Sequence, residues 1–339
     1  MTKILRMGPG NVTGQPGELG LVERIRARAA SISSREVRLG IGDDCALLRV
    51  RASEEIAVTT DLSIEGRHFR LDWHPPESIG HRTLARGLSD LAAMGARPIA
   101  AFLSLGLPGS LTAPSEGGLS WLDRFLSGFL ALATMHRVPL AGGDLSESPL
   151  ALADIVLTGA VPKNKALLRS GASPGDFLYV TGSLGGAAAE LAALGISPET
   201  FRARTVATSG APHLYPQPRL AQGLALRRRG LASAAMDMSD GLSTDLLRLC
   251  QESGVDAEVN AAALPIAPGA TLELALHGGE DYELLFTTPP SARLPRALAG
   301  VALTRIGRIL PLRAGRPGVT LLTASGAAPL TPQGWEHFS

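Results

Sequence analysis

Strand-like and helix-like segments alternate along almost the whole chain, and this alternation is the feature that most constrains the fold. Ile56 to Thr60 alternates β-branched and small residues, which predicts a strand that delivers Asp61 at its C-terminal end. Ile79 to Met94 instead has leucines at helical spacing and leaves Asp90 outside that apolar stripe. The rhythm predicts an α/β or α+β fold in which helices cover sheets.

The length of the chain and one segment rich in polar residues, Gly and Pro predict two domains that follow a short disordered N-terminal segment. The chain has 339 residues, 45% of them hydrophobic. A chain of this length usually folds around more than one hydrophobic core. Residues 1–17 lack the apolar run of a signal peptide and are expected to be a disordered lead-in. The polar, Gly- and Pro-containing segment Lys163 to Asp176 marks a junction. We therefore expect an N-terminal domain at 18–162 and a C-terminal α/β domain at 163–339.

Charge and cysteine content argue against several classes of protein. The 32 basic and 31 acidic residues give a net charge of +1, so no broad field favours nucleic acid or an anionic membrane surface. The apolar stretches are too short or too interrupted to span a bilayer. Two distant cysteines, Cys45 and Cys250, do not form a disulfide framework, so a reducing cytoplasm fits best.

Acidic residues recur beside glycine or small hydroxyl residues in predicted loops and at strand ends. One aspartate beside a glycine is most often a turn residue. If several converge, their mutual repulsion requires cations between them, and hard oxygen ligands select magnesium or calcium. Because magnesium takes only one or two carboxylates plus phosphate oxygens, a larger set implies several ions and a polyphosphate. The set comprises Asp43, Asp44, Asp61, Asp90, Asp144, Asp237 and Asp240.

The common nucleotide-binding motifs do not occur. The chain has no Gly-Lys dipeptide for a Walker A loop, and it has neither the His-Arg-Asp nor the Asp-Phe-Gly motif of protein kinases. Gly182 to Gly186 follows a predicted strand but lacks dinucleotide-binding spacing. We interpret it as a tight strand-to-helix turn, with phosphate contact as the alternative. The histidines show no metal-ligand spacing and neither cysteine stands beside a histidine.

Seven sequence blocks occur in order along the chain: LGIGDDCALL, TTDLSIEGRHF, LSDLAAMGARP, AGGD, RSGASPGD, MDMSDGLSTDL and GGEDYELLF. They resemble the thiamine-monophosphate kinase family, and the match runs from about Glu18 to Phe338. The resemblance implies a two-domain aminoimidazole-ribonucleotide-synthetase-like fold that binds ATP without a P-loop. It also implies an N-terminal domain that binds ATP and Mg²⁺ and whose sheet pairs with that of a second subunit, giving a homodimer.

By the same resemblance, the chain would phosphorylate thiamine monophosphate to thiamine diphosphate with ATP. Related sequences usually have Asn at Gly87 and Thr at Leu145, so geometry beside the ligands is expected to differ there. Magnesium ligands are implied at Asp44, Thr59, Thr60, Asp61, Asp90, Asp144, Asp237 and Asp240; ATP contacts at Gly143, Asp144, Arg169 and Ser239; and thiamine phosphate contacts at His68, Glu280 and Trp335.

Four of these positions also have simpler structural interpretations. Arg169 would alternatively pair with an acidic neighbour, and Trp335 would alternatively anchor the core. Ser239 or Asp240 would cap the helix that follows. No general base is expected, because a phosphate acceptor with a second pKa of about 6 is already mostly deprotonated at pH 7.

Other superfamily members and a non-catalytic sensor are the rival interpretations. Selenophosphate synthetase would require a reactive cysteine near the N-terminus, and the hydrogenase-maturation dehydratase a C-terminal one. Cys45 and Cys250 fit neither requirement. A sensor that binds thiamine phosphate or nucleotide without turnover would lose metal carboxylates, and none of the implied ones is lost.

Overall fold

A computed structural model describes residues 17–114, 118–207, 210–313 and 315–335. The predicted lead-in at 1–17 therefore lies, except for Gly17, outside the described residues. The helices are α1 (Glu18–Ala29), α2 (Pro76–Ala93), α3 (Trp121–His136), α4 (Gly186–Ile196), α5 (Leu220–Arg228), α6 (Leu242–Ser253) and α7 (Leu272–His277). The strands are β1 (Val37–Leu39), β2 (Leu47–Leu48), β3 (Glu54–Ile64), β4 (Arg97–Leu107), β5 (Leu140–Glu147), β6 (Leu152–Pro162), β7 (Phe177–Thr181), β8 (Ala234–Asp237), β9 (Asp256–Asn260), β10 (Leu284–Thr288), β11 (Ala297–Leu298), β12 (Val301–Leu310), β13 (Val319–Thr323) and β14 (Gly326–Pro329).

The first half of the chain builds a four-stranded sheet in the order β3-β6-β4-β5. β6 runs antiparallel to both neighbours, whereas β4 and β5 are parallel. β3 and β5 are the edge strands, and one face of β3 leaves Ile56, Val58 and Leu62 exposed. Elsewhere on this sheet, the β1-β2 hairpin packs its side chains against Ile99 and Ala160.

The second half builds a sheet in the order β14-β13-β9-β12-β7-β10-β8, with β11 paired to β12. Its pairings are antiparallel except that of β9 with β13. This mixed α/β architecture in two halves confirms the predicted fold class. Over the described ranges, no helix combines the length and apolarity that crossing a bilayer requires.

Helix α2 is buried on nearly all sides because it lies between the two halves. It packs against α3, β3 and β6 from the first half and against α5 and β8 from the second. Residues of both halves, including Leu88 and Phe286, therefore share one hydrophobic core. The few positions of α2 that are not buried include Arg86 and Asp90, which face a cavity.

Two predictions about local structure were wrong. The strand predicted at Val138 to Leu140 is instead β5, which contains the Gly142–Asp144 segment predicted as a loop. Gly143 permits this because its φ is +149° and an added Cβ would lie 1.8 Å from the carbonyl oxygen of Leu103. β3 also continues to Ile64, so Asp61 lies inside the strand rather than at its end.

Candidate active site

The predicted site residues lie mainly in two cavities. The first has a volume of about 640 Å³ and lies between α2, the segment after β3 and the loops of the second half. It brings together Asp61, His68, Asp90, Asp237, Ser239, Asp240, Glu280 and Trp335. The second has a volume of about 730 Å³ and brings together Asp44, Gly143 and Asp144 beside α1. Among the described residues, Thr59, Thr60 and Arg169 line neither cavity.

One face of α2 carries three polar side chains at successive turns. Arg82, Arg86 and Asp90 follow i, i+4 spacing and therefore project on the same side of the helix, and Arg86 and Asp90 line the first cavity. Arg86 pairs with Asp61 of β3 at 2.6 Å. Asp90 accepts a 2.5 Å hydrogen bond from the Thr59 hydroxyl of β3. The helix and the strand thus hold each other's carboxylates, Asp61 and Asp90, in place.

Three carboxylates that line this cavity, those of Asp61, Asp90 and Asp237, are harder to ionise because they are buried. Burial raises the pKa of Asp61 to about 6, despite the opposing effect of Arg86. Burial also raises the pKa of Asp90, although the Thr59 hydrogen bond and Arg169 oppose it. Burial, and then the charge of Asp90, raise the pKa of Asp237 to about 8. These groups would ionise more readily beside a bound cation.

These carboxylates suit a hard divalent cation by their chemistry. Across the described ranges, no group of three or more His, Cys, Asp or Glu side chains is arranged to hold a metal ion by itself. Magnesium usually takes one or two carboxylates and completes its shell with phosphate oxygens and water. Asp61, Asp90 and Asp237 fit that role, because they are acidic oxygen donors lining one cavity.

Glu280, His68 and Trp335 line the same cavity. Burial alone would raise the pKa of Glu280, but Arg82 and His213 outweigh that effect and hold it well below its usual range. Nδ1 of His68 lies 3.1 Å from the backbone N–H of Ile64, which donates to it. Trp335 is 49% exposed, which does not fit the alternative of a core anchor.

The segment around Asp240 corrects one prediction. Gly241 is the N-cap of α6, so neither Ser239 nor Asp240 caps it. Asp245 instead accepts hydrogen bonds from the backbone N–H groups of Asp240 and Gly241, at 3.0 and 3.1 Å. This leaves the Asp240 carboxylate to pair with Arg248.

The turn at Gly182–Gly186 supports the simpler interpretation of that motif. The N–H groups of Gly185 and Ala187 donate to the carboxylate of Asp281 at 2.6 and 3.2 Å. A carboxylate of the chain itself therefore occupies the place that a phosphate would take at the start of α4. The motif is a tight strand-to-helix turn.

The other predicted site residues do not line the first cavity. Thr60 points to the other face of β3, where its hydroxyl lies 3.4 Å from Asp154. Arg169 is exposed, and its charge partly opposes the increase that burial causes in the pKa values of Asp90 and Asp237. The second cavity holds Asp44 with Asp144 and adjoins Leu145.

Several residues in the cavity lining or directly behind it were not anticipated. Arg86, in the lining, and Arg82, behind it, could have been found from the sequence, because charges at i, i+4 spacing share a helix face with Asp90. Trp73 and Tyr282 also line the cavity. His213 reaches the site only through tertiary contacts, and nothing in the local sequence marks it.

Comparison with known proteins first gives the class. The N-terminal domain of AIR synthase related proteins matches residues 42–169, and the C-terminal domain of the same proteins matches residues 173–316. The structure of Hydrogenase Maturation Protein HypE in complex with ATP, 18% identical with a TM-score of 0.70, shares the fold. The chain is thus an AIR-synthase-related two-domain protein.

Closer relatives give the family. The thiamine-monophosphate kinase of Escherichia coli K12 is 39% identical over 335 residues, covering 95% of this chain and 98% of that protein. The crystal structure of the Stenotrophomonas maltophilia enzyme has a TM-score of 0.73 at 39% identity, covering 90% and 97%. AaThiL complexed with AMPPCP and TMP has a TM-score of 0.71 at 31% identity, covering 95% and 97%. The chain belongs to the thiamine-monophosphate kinase family and is a kinase.

Proposed function

We propose that the chain transfers the γ-phosphate of ATP directly to the phosphate of thiamine monophosphate, in line and with several Mg²⁺ ions. The observation that carries the proposal is that one cavity brings two kinds of side chain together. Asp61, Asp90 and Asp237 line it, and so do Glu280 and Trp335. A phosphate acceptor attached to a cationic ring would present its phosphate to metal ions held by the three aspartates and its ring to Glu280 and Trp335.

Charge repulsion is the main obstacle that the site must overcome. ATP and a phosphate monoester bring about six negative charges together, and the cavity adds its own carboxylates. Bound Mg²⁺ would neutralise this charge and align the attacking and leaving oxygens. Asp61, Asp90 and Asp237 would hold the ions, and Thr59 and Arg86 would keep two of those carboxylates in place.

No side chain has to act as a general base in this reaction. The second pKa of the acceptor phosphate is about 6, so its oxygen is mostly deprotonated at pH 7. The residues of the chain act instead by positioning and by charge stabilisation. Arg169 supports the role of charge stabilisation. It lies outside the cavity lining, but its charge acts on Asp90 and Asp237, so it would also attract a nucleotide phosphate bound beside them.

Part of the cavity lining suits a planar cationic ring. Glu280 supplies a carboxylate and Trp335 an exposed aromatic face, and both favour a thiazolium or aminopyrimidine. His68 lies on the same wall. We assign these three residues to thiamine monophosphate.

We further propose a homodimer in which the first sheets of two subunits pair, with the domain division at 162/163. The support is the exposed face of β3, where Ile56 and Val58 are 50% and 63% exposed. Exposed apolar residues clustered on an edge strand mark an interaction surface. The second cavity, with Gly143, Asp144 and Asp44, would contribute ATP and Mg²⁺ contacts in that assembly. The unpaired Cys45 and Cys250 agree with action in the cytoplasm.

The deciding experiment is an assay of the purified protein with ATP, Mg²⁺ and thiamine monophosphate. Formation of thiamine diphosphate, with no product from free thiamine, is expected. Removal of Mg²⁺ with a chelator should stop turnover. Phosphorylation of free thiamine at a comparable rate, or no thiamine diphosphate at all, would contradict the proposal.

A further inference from the structure

A chain of buried polar side chains in the wall of the first cavity holds the Glu280 carboxylate. Nη2 of Arg82 donates to Oε1 of Glu280 at 2.6 Å, and Nδ1 of His213 lies 3.0 Å from Oε2. Nε2 of His213 in turn lies 3.0 Å from Nε2 of His74. Arg82, His213 and His74 are each no more than 4% exposed. Both oxygens of Glu280 are thus held by groups that have little contact with solvent.

The Glu280 carboxylate sets the arrangement of protons along this chain. A neutral His213 carries its proton on Nδ1, because that nitrogen faces a carboxylate oxygen, and its Nε2 therefore accepts. The donor to it is Nε2 of a neutral His74, whose Nδ1 lies 3.1 Å from the backbone nitrogen of Arg70 and 3.2 Å from the Arg70 carbonyl oxygen and accepts from the former. The opposite arrangement would set a bare nitrogen of His213 against a carboxylate oxygen.

The electrostatic surroundings keep every member of the chain in the required charge state. Burial, then the charge of Arg82, lower the pKa of His74 to about 3 and that of His213 to about 4, so both rings are neutral near pH 7. Nη1 of Arg82 lies 2.8 Å from both ring nitrogens of His213, a position that is in line with neither lone pair. Its directed hydrogen bond goes to the His213 carbonyl oxygen at 2.7 Å.

The backbone of Glu280 shows that its orientation is imposed. Its φ is +66°, in the left-handed region that a non-glycine residue adopts only when its surroundings require it. Its N–H donates to the Ser239 carbonyl oxygen at 2.8 Å. The carboxylate is therefore held from both the backbone and the side-chain end.

We infer that Arg82, His213 and His74 are positioning residues that fix Glu280 as an oriented carboxylate for the ring of the substrate. Arg82 also donates to the His68 carbonyl oxygen at 3.1 Å, so the same guanidinium ties the backbone of His68 to Glu280. This inference rests on the proposed function, because it takes Glu280 to face thiamine monophosphate.

Substitutions at His213 separate positioning from general stability. His213→Asn places an amide N–H where Nδ1 stands, whereas His213→Leu offers no donor. His213→Leu is expected to raise both the KM and the Kd for thiamine monophosphate about tenfold. The KM for ATP should not change, and His213→Asn should stay within about threefold of wild type. His136→Leu, at the end of α3, is the control for loss of a half-buried imidazole and should leave both KM values unchanged.

The measurements are steady-state kinetics, calorimetric titration of thiamine monophosphate without ATP, and the Tm of each variant. Three outcomes for the His213 variants would overturn the inference. The first is an equal rise of the KM values for both substrates, and the second is a lower Tm with unchanged binding of thiamine monophosphate. The third is that His213→Asn binds thiamine monophosphate no better than His213→Leu. If His213→Leu does not fold, His74→Phe keeps the ring shape and should weaken thiamine monophosphate alone by about two- to threefold. Wild-type protein that does not bind thiamine monophosphate would overturn the proposed function and this inference together; normal wild-type binding with unaffected variants would overturn only the inference.

Discussion

Gly80 of α2 and Gly128 of α3 lie where the two helices touch backbone to backbone. A Cβ added to Gly80 would be 2.0 Å from the carbonyl oxygen of Phe125, and one added to Gly128 would be 1.8 Å from that of Glu77. Because neither glycine has room for a side chain, the crossing of α2 over α3 is fixed at a short distance. α2 carries the polar face of the first cavity, so this crossing also sets the position of the site.

Gly128→Ala is expected to lower the free energy of unfolding by about 3 kcal/mol, because only separation of the helices relieves a clash with backbone. Gly87→Ala, also in α2, is the matched control. Its Cβ would meet a movable atom, Leu157 Cδ1 at 2.7 Å, and alanine favours the helix by about 1 kcal/mol, so the change should be small. Urea denaturation measures the free energy of unfolding of each variant. Equal denaturation midpoints for the two variants would contradict the close backbone contact between α2 and α3.

Asp61→Asn and Asp90→Asn are expected to reduce kcat at least about 100-fold, because each removes a proposed magnesium ligand. Asparagine still accepts a hydrogen bond from Arg86 or Thr59, so circular dichroism and Tm should change little. Asp256→Asn, in β9, is the control and should keep near-normal turnover. Near-normal turnover of either cavity variant at saturating Mg²⁺ would remove that residue from the metal site.

Trp335→Ala is expected to raise the KM for thiamine monophosphate about tenfold and leave that for ATP unchanged, because an exposed aromatic face is lost. Trp121→Ala is the control for loss of a core indole. Trp121 stacks on Phe125 with ring centroids 5.3 Å apart, so its loss should lower Tm and leave both KM values in place. An equal rise in both KM values for Trp335→Ala would indicate a structural role.

Val58→Glu is expected to convert the dimer into monomers, because it places a charge in the centre of the proposed sheet-to-sheet contact. Ile196→Glu is the control, since Ile196 is 83% exposed and lies on α4, away from this face. Sedimentation velocity at micromolar concentration distinguishes the outcomes. A monomeric wild-type protein would remove the basis for the dimer.

Periodicity predicted the elements that depend on local sequence. Phe177–Thr181 is β7 at the bounds that its apolar run indicated, and α1 begins at Glu18. The Gly142–Asp144 segment was misassigned, because glycines that usually interrupt structure here permit close contact between strands. A single sequence does not record which side of the backbone a close neighbour occupies.

The composition of the site was more predictable than its arrangement. Acidic residues beside small hydroxyl residues indicated the Asp61 and Asp90 carboxylates. Asp144 lies in another cavity because the order β3-β6-β4-β5 puts its strand and that of Asp61 at opposite edges of the sheet, and no local pattern encodes that order. His213 illustrates the limit, because it contacts Arg82 across 131 residues of sequence.

The ion pair between Arg82 and Glu280 spans 198 positions of the chain. During synthesis, the first half therefore leaves the ribosome with Arg82 in place but without the carboxylate that completes the recognition site. A growing chain shorter than about 280 residues would lack part of the lining of the first cavity, which is the proposed site for the ring of thiamine monophosphate. Ligand capture thus reports that the whole chain has been made and that its halves have docked, so binding would stabilise finished molecules and leave fragments exposed to proteolysis.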